Sequence, residues 1–141
     1  PAKGLIKGDA RAFSDKTNKI IEQSMRQLVK GICESFGVSY EVSYQTTCPM
    51  TYNHAEQAES ATKAAISLLG NDKSEGNIEP RSFSEDFSIM SDAKPGCFVL
   101  MGNGTSGSNA RPLHSADYDF NDELLVTGSS YWVELAEQQL E

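Results

Sequence analysis

Histidine is nearly missing from this chain: His54 and His114 are the only two in 141 residues. Neither stands in a His-Glu-x-x-His or His-x-Asp stretch, so no metal site can be built from one local motif. Base is scarce as well. There are 12 Lys and Arg against 20 Asp and Glu, a formal net charge of −8. Nucleic acid and anionic membrane surfaces are therefore excluded as partners, since either would need a basic face. The acid is dispersed and reads as solvated surface. No apolar run approaches the ~20 residues of a membrane span. The start carries no signal-peptide pattern, which makes the cytoplasm the expected location. Cysteine is limited to Cys33, Cys48 and Cys97, an odd number with no Cys-x-x-Cys pair, which excludes a zinc knuckle or dithiol redox motif.

What is present suits a packed, soluble α/β chain. A hydrophobic content of 38% is enough for a core, and the length fits one domain or two small pieces. The chain opens on Pro1 without Met and so reads as a processed product and not a natural start. Residues 5–13 read as a strand, and Ser14 as the N-cap of a long helix. In that helix Ile21, Met25, Leu28 and Ile32, with Val29, Cys33 and Phe36 beside them, keep the spacing of one apolar face. Gly37 should end it. Val38, Tyr40, Val42 and Tyr44 then alternate with polar residues, the pattern of a half-buried strand.

The domain boundary is expected at the Pro49 linker, dividing residues 1–48 from 49–141. Asn53 and Glu56 resemble a capping box opening a helix that closes at Gly70, with Ala55, Ala58, Ala65, Ile66 and Leu69 for its buried side. His54, in the first turn, reads as exposed. A short helix is expected after Ser84, with Ser84 as its cap and Glu85 and Asp86 in its first turn. The last helix should bury Leu124, Leu125, Gly128, Trp132, Leu135 and Ala136.

The most informative stretch lies between these helices. Residues 97–101 form an apolar run of strand length after Pro95-Gly96, and residues 102–109 are nearly all Gly, Ser, Asn and Thr. The loop leads to His114, with Asp117 and Asp119 close behind, before Asn121 caps the last helix. A histidine beyond a strand end is well placed for chemistry; the competing reading is a solvated loop residue with turn-forming acids.

The wording of these segments, "PGCFVLMGNG", "PLHSADYDFND" and "SEDFS", resembles the C-terminal end of the metallo-amidohydrolase and metallo-carboxypeptidase family. That family includes hippurate hydrolases, indole-acetyl-amino-acid hydrolases, aminoacylases and carboxypeptidase G. The opening "PAKGLIKGDARAFSD" is similar to the middle of the family's inserted lid. The resemblance implies the second half of a ferredoxin-like lid, strand-helix-strand, followed by the C-terminal part of a zinc-exopeptidase-like α/β/α catalytic domain. It also implies that His114 is a metal ligand, with Asp117 and Asp119 as local candidates to orient its second nitrogen.

The same resemblance places Arg11, Phe83, Ser84 and Glu85 at the substrate. Arg11 would reach the substrate carboxylate through its guanidinium, the alternative being a surface arginine. Ser84 and Glu85 would line the pocket. Phe83 is a departure, because the hippurate and indole-acetyl branch commonly has Gly or Ala there, and an aromatic ring would shrink the pocket or add a stacking surface.

The implied activity is metal-dependent hydrolysis of the amide bond of N-acyl amino acids by the full-length protein, with zinc or manganese, in one or two ions, as the divalent metal. The chain itself offers no general base and no catalytic residue of its own. It is expected to bind metal weakly or not at all, and to be inactive alone. A small-molecule N-acyl amino acid and a second copy in a homodimer are the expected partners. The rival reading is a dimerisation or binding module that catalyses nothing.

Overall fold

A computed structural model describes residues 3–140. Four α-helices follow in order, α1 (Asp15–Ser35), α2 (Ala55–Leu69), α3 (Phe87–Ala93) and α4 (Leu124–Leu140), with 3₁₀ turns at Asn71–Lys73 and Gly107–Ala110. The chain divides into two compact units, Pro1–Tyr52 with Glu79–Lys94, and Asn53–Ile78 with Pro95–Glu141.

In the first unit, α1 starts where its sequence says it should. Ser14 is extended and its hydroxyl accepts from the Thr17 N–H at 3.0 Å, a cap worth about 1 kcal/mol. Its end is a Schellman arrangement: Gly37 has φ 63, Val38 N–H donates to the Cys33 carbonyl at 2.9 Å, and Gly37 N–H to the Glu34 carbonyl at 3.2 Å. The chain then runs back beside the helix. Arg26, held by Glu22, donates Nη1 to the Val42 carbonyl at 3.0 Å. Asn18 donates to the Thr46 hydroxyl at 3.2 Å and accepts from the Tyr44 hydroxyl. Val42 and Tyr44 are half-buried, as are Ile21, Val29 and Cys33.

The strand-helix-strand lid is not formed by the described residues. Residues 5–13, 38–44 and 97–101 read as strands, but among the described residues none has a ladder partner. The alternation of Val38, Tyr40, Val42 and Tyr44 selects a side-chain face, whereas a strand also needs a neighbour's N–H and C=O groups. Here side chains from α1 take part of that role.

In the second unit α2 packs on α4. The seam is made of small residues on α2 and one large one on α4: Ala64 is fully buried, Ala61 nearly so, and Tyr131 is 5% exposed. The Tyr131 hydroxyl donates to the Ala61 carbonyl at 3.4 Å, and Gln139 Nε2 donates to Ser60 Oγ at 2.8 Å. The expected face of α4 is thus rotated. Tyr131, in line with Leu124, Gly128 and Leu135, takes the centre, while Trp132 is 66% exposed and Leu125 and Ala136 face solvent. The reason is steric and polar together: alanines leave room for a ring, and the phenol can bond a backbone carbonyl, whereas Trp132 only meets the Tyr131 ring edge to face at 5.5 Å.

Two caps are also corrected. His54, and not Asn53, is the N-cap residue of α2, with no side-chain cap bond, because the Asn53 amide is taken by Phe98. Ser84 caps nothing: α3 begins at Phe87 after Asp86, and Ser88 Oγ donates back to the Glu85 carbonyl at 2.7 Å.

Since Ala64 has no free space, Ala64→Leu should destabilise the protein by about 1–3 kcal/mol through overpacking, read as a lower urea midpoint at unchanged slope.

Candidate functional site

The loop that bears His114 is tied at its base by two asparagines. Asn103 Nδ2 donates to the carbonyls of Asn109 at 3.0 Å and Asp119 at 2.8 Å, and its Oδ1 accepts from the Asn121 N–H at 2.8 Å. Asn121 Nδ2 in return donates to the Asn103 carbonyl at 3.1 Å, and its Oδ1 accepts from the Glu123 N–H at 3.2 Å just before α4. α4 begins at Leu124, so Asn121 is not the N-cap residue expected of it; its Oδ1 instead forms an Asx turn ahead of the helix. Asn103 carried no signal in sequence, standing among Gly, Ser and Thr in what read only as a mobile loop.

Within the loop, Ser115 N–H donates to the Pro112 carbonyl at 3.2 Å, closing a turn whose third residue is His114. His114 has φ 68, the only positive value at a non-glycine among the described residues. That is the left-handed region a type II turn demands at this position, and glycine usually fills it. The imidazole is exposed and no hydrogen bond from the described residues reaches it. Beside it the Ser115 hydroxyl is shut from solvent without a partner, an uncommon condition for a buried polar atom.

Of the two acids behind His114, Asp117 has its carboxylate paired with Arg111, while Asp119 contributes its backbone carbonyl to the tie. Arg111 holds Asp117, with Nε 3.2 Å from its carboxylate and Nη1 donating to its carbonyl at 2.7 Å. Asp117 is therefore a brace of the loop, and no hydrogen bond joins it to His114 among the described residues.

The first unit gathers the other sequence-derived residues. Arg11 Nη1 donates to the Ser82 carbonyl at 3.1 Å, 71 residues away, while its Nε pairs with Asp9 at 2.8 Å. This sets Arg11 beside the segment that carries Phe83, Ser84 and Glu85. Arg11, Phe83 and Ser84 are exposed and Glu85 half-buried. Asp9 already satisfies one side of the guanidinium, so any anion would engage the remaining edge.

His54 departs from expectation. It is half-buried, its N–H donates to the Gly96 carbonyl at 3.0 Å, and its Nδ1 accepts from the Gly96 N–H at 3.2 Å. Asn53 repeats the pattern one step on, donating to the Phe98 carbonyl at 3.1 Å and accepting from Phe98 N–H at 2.8 Å. Together they dock residues 96–98 on the start of α2. Cys97 is half-buried there, and burial pushes its thiol up from the ordinary range.

Among the described residues no group of three or more His, Cys, Asp and Glu could hold a metal ion. His114 offers one imidazole, and a catalytic metal needs about three protein ligands. These residues alone therefore do not fit a metal centre.

Comparison with known proteins agrees with the wording of these segments. The chain belongs to Peptidase family M20/M25/M40, which matches residues 4–138. A hippurate hydrolase of Campylobacter jejuni is 30% identical over 136 residues, covering 96% of this chain and 34% of the relative. Thermostable carboxypeptidase 2 of Saccharolobus solfataricus is 24% identical over 131 residues, 92% of this chain and 32% of the relative. An N-acetyldiaminopimelate deacetylase of Lacticaseibacillus casei is 24% identical over 137 residues, 96% of this chain and 34% of the relative. The chain thus spans about a third of the length of the curated relatives it matches. No solved structure matches it.

Removing the His54 ring leaves the Gly96 N–H without its acceptor. His54→Ala should accordingly cost about 1 kcal/mol of stability, visible in denaturant unfolding, contrary to the small effect an exposed first-turn residue would give.

Proposed function

We propose that this chain is the C-terminal portion of a metal-dependent amidohydrolase that cleaves the amide bond of N-acyl amino acids, hippurate-like compounds included. The observation that carries the reading is His114: an imidazole occupies a turn position that glycine ordinarily takes, in a loop closed by directed side-chain bonds. Unfavourable backbone conformations persist where the surroundings fix them, and they concentrate at functional sites. In this reading His114 is one ligand of a zinc or manganese centre completed by residues outside this chain. A metal bound there with those further ligands would supply Lewis-acid chemistry for amide hydrolysis.

The chain's own part is binding. Arg11 takes the substrate carboxylate with the guanidinium edge that Asp9 leaves open, and Phe83, Ser84 and Glu85 line the pocket for the acyl group, with Phe83 narrowing it or stacking on it. No general base is assigned within the chain, so amide turnover belongs to the full-length protein. Residues 5–13 and 38–44 pair in that protein as strands of an α/β lid.

A homodimer and a cytoplasmic location complete the proposal. Support for the dimer is the apolar stripe of α1: Leu28 is 64% and Ile32 58% exposed, and both line a shallow groove with Ser24, Gln27 and Gly31. Such a surface on a folded helix fits burial against a second copy. Three cysteines without a disulfide suit a reducing compartment. No helix among the described residues is long and apolar enough to cross a membrane.

In the full-length protein His114→Ala should lower kcat/KM for hippurate by several orders of magnitude and weaken metal retention on dialysis. Full activity in this variant would refute the ligand assignment and favour a non-catalytic module. For the dimer, Leu28→Glu should shift sedimentation toward the monomer. An unchanged profile would move the interface off α1.

A further inference from the structure

Seven asparagines stand in the chain, and only Asn103 is followed by glycine. That pair has a chemistry of its own. The peptide nitrogen after an asparagine can close a five-membered ring on the side-chain amide carbon, so the attack is intramolecular and no second reactant has to be brought up. A side chain on the following residue obstructs the approach, and glycine has none. Here glycine is also what the fold requires: Gly104 has φ +150, and a Cβ there would lie 2.9 Å from the Asn109 Cβ. Gly104 is exposed, and no backbone carbonyl among the described residues takes its N–H.

The tie at the base of the loop holds this reaction back. Both Nδ2 protons of Asn103 are spent on the carbonyls of Asn109 and Asp119, and Oδ1 accepts from the Asn121 N–H. The Asn103 carbonyl in turn accepts from Asn121 Nδ2 at 3.1 Å. A side chain held on both sides cannot turn freely toward the following nitrogen, so the reactive geometry belongs to the opened loop. Exposed segments open locally at much lower cost than packed helices. We propose that Asn103-Gly104 is a self-modification site, where the asparagine deamidates when the base of the loop opens.

The Gly104 nitrogen bonds to Cγ of Asn103, the Cγ–Nδ2 bond breaks, and Nδ2 leaves as ammonia with the proton from the Gly104 N–H. Water then opens the cyclic imide. Opening at Cγ leaves an aspartate; opening at the former main-chain carbonyl leaves an isoaspartate, in which the backbone runs through Cγ. Neither product can rebuild the tie. An aspartate still accepts from Asn121 N–H, but its second oxygen faces the carbonyls of Asn109 and Asp119 in place of two donors, so both bonds become repulsions. An isoaspartate lengthens the backbone by one methylene beside the tightly packed Gly104. A neutral fastening becomes an anion, and the loop stays loose whatever His114 binds.

The full-length protein is kept folded at neutral pH for several days, beside a sample in urea, and peptide mapping follows the amide-to-acid mass gain and isoaspartate at each asparagine. In the folded sample Asn103 should convert several-fold faster than any other asparagine, and in urea, where the tie is gone, faster still. Asn121→Ala removes the donor to the Asn103 carbonyl and should raise the folded-state rate several-fold. Conversion at Asn103 in urea with none in the folded protein would overturn the proposal, since the loop would then never open far enough. Equal rates in the two samples, or a folded Asn121→Ala that converts at the parent's rate, would overturn the control by the tie. If Asn121→Ala does not fold, the comparison of folded parent with urea decides alone. The consequence is read in Asn103→Asp by hydrogen exchange. The Ser115 and Tyr118 amides, bonded to the Pro112 and Ser115 carbonyls, should exchange several-fold faster while α2 and α4 keep their protection. Unchanged exchange at those two amides would show that the modification does not loosen the loop.

Discussion

A peptide N–H or C=O withdrawn from water must find a partner, and where strands are not paired the partner has to be a side chain. This requirement organises the chain outside its helices. Asparagine amides meet it repeatedly, since one amide offers two donors and an acceptor and can stand in for a strip of neighbouring strand. Asn53 makes the two bonds to Phe98 that an adjacent strand would make, and Asn103 and Asn121 exchange bonds across the base of the His114 loop. Asn18, with Arg26, holds the returning segment beside α1. These residues lie at the ends of irregular segments, where a few directed bonds fix the path of many residues.

The helices meet a different constraint. The α2 and α4 seam depends on alanine, because small side chains let the helices approach until a single phenol fills the space and its hydroxyl reaches a backbone carbonyl. On α1 the outward part of the apolar stripe has no cover within its own unit. Ile21, Val29 and Cys33 on the same helix are half-buried, while Asn18 and Arg26 bond the returning segment. A face divided in this way has one half-buried side and one open side, and the open side is the one the proposed second copy would cover.

For function, family membership and local geometry bear on different questions. The match to Peptidase family M20/M25/M40 concerns ancestry across residues 4–138. It leaves open what each residue does. The left-handed turn at His114 and the committed Asp117 are facts about individual residues, and they change the expected picture: the acid nearest in sequence braces the loop and leaves the imidazole unattended. Arg11 is drawn to the 82–85 segment by a bond to Ser82 that its distance in sequence could not reveal.

The sequence by itself determined that the four helices exist, both ends of α1 and the C-terminal end of α2. Ser14 before an apolar period and Gly37 after it suffice for α1, and Gly70 ends α2, because caps and periodicity act between residues close along the chain. It also marked His114, Arg11 and residues 83–85 through their wording. Only the tertiary structure decided what each polar group bonds to. The alternation in residues 38–44 was legible, but pairing is a property of two segments, and the described residues supply side chains in place of a second strand. Tyr131 displaced Trp132 at the seam because the choice turned on the alanines of α2, some seventy residues earlier. Asn53 lost its capping role to Phe98, and Asn103, silent in a run of loop residues, became the tie of the site. A side-chain amide bonds whichever backbone group the fold brings within reach, and that group's distance along the chain leaves no trace in the local pattern.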